Sequence, residues 1–506
     1  MTICTRISLI GSFALIALAC QKPTYQLIIR NAQVADGSGS ELIRTDLAIN
    51  ADTIAAIGDL SEAAADSIID ALDLVLAPGF IDVHSHHDGG LDEDKTALAM
   101  VSQGITTIIV GQDGGSDIPL ADYFQKMEQQ PAAVNVASYS GHNSIRDSIM
   151  GNDFKRKATE AEVEKMKALL EADLNAGALG LSTGLEYDPG IYSGNEEVLA
   201  LAHLLPKYRG RYISHLRSED RYFHEAVEEI IRIGKETGVP VQISHFKLAM
   251  RGLWGQAGKT LARLDEARTS GVDITADWYP YPYWSSTIRV LFPDRNFNDL
   301  KEAEFILESV TTPEGILFSN YDPNPEFNGR TLADVAQQEG KTPPQMLIEL
   351  IRRLDACREK QKCSGSIVAT SMSTADMNAL VRWPHTCICS DGSSSGRHPR
   401  GFGTFTRVLG QFVRDSAVLT LPEAVHKMTG LSARQTGIIR RGLLAPGNYA
   451  DLVLFDPKTV KDLSTTAAPQ TVSQGIHTVW VNGKVVFKNG KTTRNLPGRV
   501  IKRSSR

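Results

Sequence analysis

The chain has 506 residues, of which 42% are hydrophobic and 22% charged, the balance of a folded globular protein and not of a disordered one. Its formal charge of −6 is spread without a block of one sign, which argues against a nucleic-acid surface or a charged binding tail. The length exceeds what one small core organises and suits a large barrel with a satellite.

Residues 1–19 read as a signal peptide of the lipoprotein type. Arg6 precedes an apolar run over 7–19 that is too short to span a bilayer comfortably. Ala17-Leu18-Ala19-Cys20 resembles a bacterial lipoprotein cleavage box, with Cys20 as the lipidated N-terminus; an ordinary cleaved signal with an incidental cysteine is the alternative. Both imply export. Gln21 after the cysteine, in place of Asp, points by the same resemblance to a periplasmic, outer-membrane lipoprotein of a Gram-negative bacterium. No later stretch has the length and apolarity of a transmembrane helix, so the lipid would be the membrane contact. Of six cysteines, Cys4 leaves with the signal. Cys357 and Cys363 flank a short charged segment and can pair in an oxidising compartment. Cys387 and Cys389, two apart in an apolar strand, read as small buried hydrophobes.

From 25 to 76 the chain alternates strand-like segments and turns, at 26–30, 46–50 and 53–58, and the same texture returns at 450–455 and 477–487, where Asn482-Gly483 marks a two-residue hairpin turn. Residues 20–77 plus 440–506 are therefore expected to build one small β domain from both chain ends. Between them, 78–439 alternates short apolar strands with amphipathic helices, the pattern of parallel βα units. Strands are expected at 79–84, 105–110, 134–139, 178–182, 212–215, 241–245, 273–278 and 385–390, and helices at 160–176, with Val163, Met166, Leu169, Leu170 and Leu174 on one face, and at 223–236. The fold class is α/β, a (β/α)8 TIM-like barrel with a small β-sandwich domain. A stretch at about 291–382 breaks the rhythm and reads as a helical insertion or lid, with helices at 331–339 and 344–354.

A barrel of this kind carries its chemistry at the C-terminal ends of its strands. His84 and His86 follow the first expected strand and, two apart, can aim at one point. Asp113 follows the second, His142 the third, Glu186 the fourth, His215 the fifth, His245 the sixth, Tyr279 and Tyr281 the seventh and Asp391 the eighth. Imidazoles with carboxylates and no thiolate suit Zn²⁺, or Mn²⁺, Co²⁺ or Ni²⁺, and there are ligands enough for one or two ions. Such an ion activates water and polarises a carbonyl, so amide hydrolysis becomes feasible near neutral pH. Asp391 is the candidate proton shuttle, from the attacking water to the departing amine. Lys247, two residues past His245, is a candidate cation for a substrate carboxylate, with Arg400 and Arg217 as alternatives. Tyr281 is a candidate donor to a developing oxyanion and His142 a candidate lining residue. His87, His203, His224, His385, His426 and His477 lack comparable placement.

Together, His84-Ser85-His86, Ile213-Ser214-His215-Leu216-Arg217-Ser218-Glu219, His245-Phe246-Lys247 and Cys389-Ser390-Asp391 resemble the amidohydrolase superfamily. Gly180-Leu181-Ser182-Thr183-Gly184-Leu185-Glu186-Tyr187, Tyr279-Pro280-Tyr281 and His398-Pro399-Arg400-Gly401-Phe402-Gly403 narrow this to the N-acyl-D-amino-acid deacylase (D-aminoacylase) branch, over about residues 25 to 490. The resemblance implies that His84 and His86 hold the more buried metal with Asp391 and that His215 and His245 hold the second. It implies a small-molecule N-acyl amino acid as substrate, with a dipeptide, an isoaspartyl dipeptide or a cyclic amide as alternatives on the same fold; a non-catalytic ligand-binding lipoprotein is the reading from a different class. The branch commonly places a cysteine ligand after the second strand, where this chain has Gly111-Gln112-Asp113-Gly114-Gly115. Because the superfamily often carries its bridging group after the fourth strand, Glu186 is the expected bridge and Asp113 the alternative.

Overall fold

Strands from the two ends of the chain lie side by side. In the computed structural model, which describes residues 24–504, Val75–Pro78 pairs antiparallel with Leu452–Phe455, with Ala77 opposite Val453. On one side of this seam run Ile476–Val481, Lys484–Lys488 and Lys491–Thr492, and on the other Thr24–Val34, Ile43–Asn50 and Thr53–Gly58, with Ala64–Asp70 added parallel to Thr24–Val34. Side chains alternate along a strand, so Ile28 and Ile29 enter different cores. The core under Ile29 also takes Ile54 from one end of the sheet and Trp480 from the other, so the nine strands curl round it. The expected signal and lipidation site at Cys20 lie outside the described residues.

The middle of the chain forms the barrel. Its parallel strands are β1 (Phe80–Asp82), β2 (Ile105–Val110), β3 (Asn135–Ser138, resumed at Ser140–Gly141), β4 (Gly180–Gly184), β5 (Arg211–His215), β6 (Val241–Ile243), β7 (Ile274–Trp278) and β8 (Thr386–Ile388). Each lies within or next to an expected segment, because strands covered on both faces write near-continuous apolar runs. At β4 the chain needs a glycine: a Cβ on Gly180 would lie 1.8 Å from the Arg211 carbonyl oxygen. The ring closes past the ends of β8 and β1, where the Asp391 amide donates to the His84 carbonyl and the His86 amide to the Gly392 carbonyl, both at 2.9 Å. The helix Glu160–Ala176 starts in a capping box between Thr159 and Glu162 and buries Met166, Leu170 and Leu174.

The segment expected to be a helical insertion is mixed. It begins earlier, with Tyr283–Thr287, which joins Gly365–Thr370 and Ile316–Tyr321 in a three-stranded antiparallel sheet. Helices Leu332–Gln338 and Pro343–Arg358 close a separate core around Phe318, Met346 and Leu350. Thr374–Arg382 returns to the barrel, burying Met377, Leu380 and Val381 in the main core. Cys357 and Cys363 form a disulfide at the end of Pro343–Arg358, while Cys387 and Cys389 are buried and unpaired.

Candidate metal centre

The barrel strands run parallel, so the polar side chains at and just beyond their C-terminal ends meet at one rim. There the carboxylate of Asp113 takes the central place. Its Oδ1 lies 3.4 Å from His84 Nε2 and 3.3 Å from His245 Nε2, and its Oδ2 lies 3.4 Å from His86 Nε2. Asp391 Oδ1 approaches the same pair, 3.7 Å from His84 Nε2 and 3.4 Å from His86 Nε2. His215 Nδ1 stands 2.9 Å from His245 Nε2. Two overlapping donor sets result, His84–His86–Asp113–Asp391 and Asp113–His215–His245, each with its ligand atoms within 4.8 Å of one another.

Asp113, the expected alternative, is thus the carboxylate common to these two sets, and Glu186, the expected bridge, belongs to neither. Glu186 Oε2 sits 2.9 Å from His215 Nε2, on the face of that ring turned away from His245; it joins a third group with His215 and Glu219. The reason is backbone shape. Asp113 follows Gly111 (φ +73°) and itself adopts φ +53°, which turns its side chain back over the barrel mouth. His245 (φ +35°) and Asp391 (φ +47°) are also left-handed. Three non-glycine residues in this region at one rim are strain of the kind that collects at working sites.

The electrostatics fit a cation. Burial opposes charge on His84, yet Asp113 and Asp277 raise its pKa well above the ordinary value. Burial likewise opposes ionisation of Asp113, yet His84 and His245 hold its carboxyl well below the usual range. Asp391 is also held low against burial, chiefly by Arg400, whose Nη1 is 2.5 Å from Asp391 Oδ2. Burial lowers His215 to about 4 and raises Glu186 well above its ordinary value, where Asp220 and Glu219 add to the push. Both ring nitrogens of His84 and Oδ1 of Asp113 are buried without a hydrogen-bond partner. Orphaned donors of this type call for a ligand, and an imidazole–carboxylate set suits a divalent transition metal.

The centre forms the floor of a cavity of about 470 Å³. Lys247 and Arg400 line it, as expected, although each already holds a carboxylate: Lys247 Nζ donates to both oxygens of Glu219 at 2.6 Å. Between them stands Tyr279, its ring 4.9 Å from the Arg400 guanidinium and its hydroxyl buried and unpartnered. Tyr281, the expected oxyanion donor, lies outside the lining, its hydroxyl 3.5 Å from the Pro399 carbonyl and its ring under Arg407. The strand ends at Trp278, so Tyr279 and not Tyr281 is at the rim. His142 and Arg217 are also off the cavity. His142 pairs with Glu197 at 2.9 Å, and Arg217 clamps Glu229 with two bonds of 2.9 Å. Glu219, Asp220, Tyr187, His398 and Arg397 line the cavity without having been singled out. Glu219, Tyr187 and His398 stood in the quoted motifs without a role assigned to them, whereas Asp220 and Arg397 carried no sign. Asp277, a lone acid within apolar β7, lies beneath His84 and receives the His245 amide at 2.6 Å.

Relatives of known activity match this chain over most of its length. D-aminoacylase of Alcaligenes xylosoxydans xylosoxydans is 36% identical over 506 residues, covering 95% of this chain and 98% of its own length. N-acyl-D-glutamate deacylase of the same organism is also 36% identical, over 95% and 97%. Among solved structures, N-acyl-D-glutamate deacylase from Bordetella bronchiseptica, complexed with zinc and a phosphonate inhibitor that mimics the reaction's tetrahedral intermediate, superposes with a TM-score of 0.85 at 35% identity, over 95% of this chain and 100% of that one. A D-aminoacylase structure concerned with the functional role of a binuclear metal centre matches with a TM-score of 0.84 at 34% identity, over 95% and 100%. The model of the amidohydrolase family spans residues 67–300 and 328–487. With a barrel whose rim gathers four histidines around Asp113 and a match over most of its length, this chain belongs to the amidohydrolase family.

Proposed function

We propose that the protein is a metal-dependent hydrolase that removes the acyl group from N-acyl-D-amino acids. The observation that carries this is the donor set around Asp113, with Asp391 on its flank and a cavity above it large enough for a small molecule. The D-aminoacylase and N-acyl-D-amino-acid deacylase names of the relatives support the substrate class. His84, His86, Asp113 and Asp391 would hold one ion, and Asp113, His215 and His245 a second; Zn²⁺ is the choice that the donor chemistry and the zinc complex of the Bordetella relative support. An ion bound there supplies Lewis-acid polarisation and water activation near neutral pH.

The chain's own residues do the rest. Asp391, ionised and among the residues that line the cavity, takes a proton from the attacking water and returns it to the nitrogen of the departing amine, which leaves poorly as an anion. Arg400, pinned on Asp391 Oδ2, aims the other oxygen inward. Tyr279, flanked by Arg400 and Lys247, forms the polar end that receives the amino-acid carboxylate. Trp284, Val290, Leu291 and Val310, all from the inserted segment, give an apolar wall for the acyl group or side chain.

The test is hydrolysis by metal-loaded protein of matched N-acetyl D- and L-amino acids, of dipeptides and of cyclic amides. Turnover of the N-acetyl-D-amino acids is expected, and turnover of dipeptides or cyclic amides alone would sink the reading. Export with lipid attachment at Cys20 is proposed alongside it, supported by the 7–20 sequence and by the Cys357–Cys363 disulfide. Mass spectrometry of the mature N-terminus tests it. No helix among the described residues is long and apolar enough to cross a membrane.

A further inference from the structure

His245 has two competing neighbours on the ring nitrogen that faces away from the centre. Its Nδ1 lies 2.8 Å from Lys247 Nζ and 3.0 Å from Glu219 Oε1. An ammonium only donates and a carboxylate only accepts, so the two demand opposite tautomers. If Lys247 donates to Nδ1, the ring proton sits on Nε2, the atom that stands 3.3 Å from Asp113 and 2.9 Å from His215. If Nδ1–H donates to Glu219, Nε2 keeps its lone pair for a metal.

We propose that Glu219 is a positioning residue that decides this competition, drawing the proton of His245 to Nδ1 and holding Lys247 off the ring. The inference rests on reading the site as a metal centre. Four observations carry it. Glu219, His245 and Lys247 are 8%, 2% and 4% exposed, so water does not arbitrate among them. Both Glu219 oxygens receive Lys247 Nζ at 2.6 Å, which satisfies the ammonium without the imidazole. The Ala249 amide donates to the Glu219 carbonyl at 2.9 Å and the Asp277 carboxylate takes the His245 amide at 2.6 Å, so the backbones on both sides are pinned. On the neighbouring ring, His215 Nε2 meets Glu186 in the same way, which leaves Nδ1 facing His245. A carboxylate behind each ligating imidazole is the arrangement that fixes tautomer and raises ligand basicity.

The test compares the parent chain with Glu219→Ala, Lys247→Met and the double variant, reading Zn²⁺ affinity by competition with a chelator and the visible spectrum of the Co²⁺-loaded protein. Glu219→Ala is expected to weaken Zn²⁺ about 10–100-fold and to shift the Co²⁺ bands, because Lys247 then takes Nδ1. Lys247→Met is expected to bind as the parent does, and the double variant to bind more tightly than Glu219→Ala but below the parent, because the ring is freed of Lys247 while the carboxylate that raises its basicity is gone. Parent-like affinity in Glu219→Ala overturns the proposal. So does a double variant as weak as the single one, which would make Glu219 a ligand or a structural support. A parent that takes up no divalent ion overturns this inference and the proposed function together, whereas metal uptake without deacylation removes only the latter. Melting temperatures of all four proteins separate loss of fold from loss of metal.

Discussion

The carboxylate of Asp391 has two faces with different duties. One oxygen is held by Arg400 and the other looks across to His84 and His86. Asp391→Asn preserves size but cannot accept a proton at neutral pH, so kcat is expected to fall about 10²–10⁴-fold, and the melting temperature is expected to drop because buried Arg400 loses its charged partner. Steady-state kinetics beside a thermal melt decides it; an intact kcat removes the proton role. At this scale the sequence was partly legible. His84, His86, His215, His245 and Asp391 stand at strand ends, and strand ends are readable from apolar runs. The bridging place was not, because Asp113 and Glu186 are both acids after strands. What separates them is the left-handed turn of Asp113 past Gly111, a backbone property that residue types do not display. Tyr279 and Tyr281 posed the same difficulty, since one residue of strand length decides which ring reaches the cavity.

Among the elements, the helices His142–Met150 and Asn195–Ala202 are joined by a buried charge network. Arg146, fully buried, donates through Nη1 to both oxygens of Glu197 at 2.9 and 2.7 Å, and His142 completes the set. This explains why His142 sits at a strand end without lining the cavity. Glu197→Ala leaves the guanidinium uncompensated and is expected to cost about 3–5 kcal/mol in a denaturant titration. Burial raises the Glu197 pKa, but His142 and Arg146 outweigh it and bring it below the ordinary 4.5. A carboxyl depressed in the folded state contributes stability above its unfolded value and loses it as pH falls through the folded one. The parent should therefore lose stability on acidification below about pH 4.5, and Glu197→Gln should flatten that limb. Equal acid limbs in the two proteins would exclude the network as a source of acid sensitivity. The barrel's strands were legible for the reason given, whereas the insertion's first strand was not. Tyr283–Thr287 is half-buried at every position, so it shows neither alternation nor a continuous apolar run.

At the scale of the whole molecule, two cores divide the work: the barrel supplies the donors, and the inserted segment, with its own core, supplies the apolar wall above them. The barrel with a sheet from both chain ends was readable because strands of the same texture flank the βα repeats. Its curl round a shared core was not, since that depends on which distant strands pair.

The seam between Val75–Pro78 and Leu452–Phe455 sets the order in which this protein can finish folding. A ribosome delivers every barrel strand before the partner of residues 75–78 exists, so until the last stretch emerges the nascent chain carries an apolar, unpaired strand edge. A chain ending at residue 440 is expected to associate through that edge and to elute as aggregate on size exclusion. Supplying residues 441–506 as a separate polypeptide during refolding should return soluble material, and failure of both outcomes would mean that the barrel stands without its clasp. Under the export proposed above, a seam that closes only once residues 452–455 have been made would hold the chain unfinished until late in its synthesis.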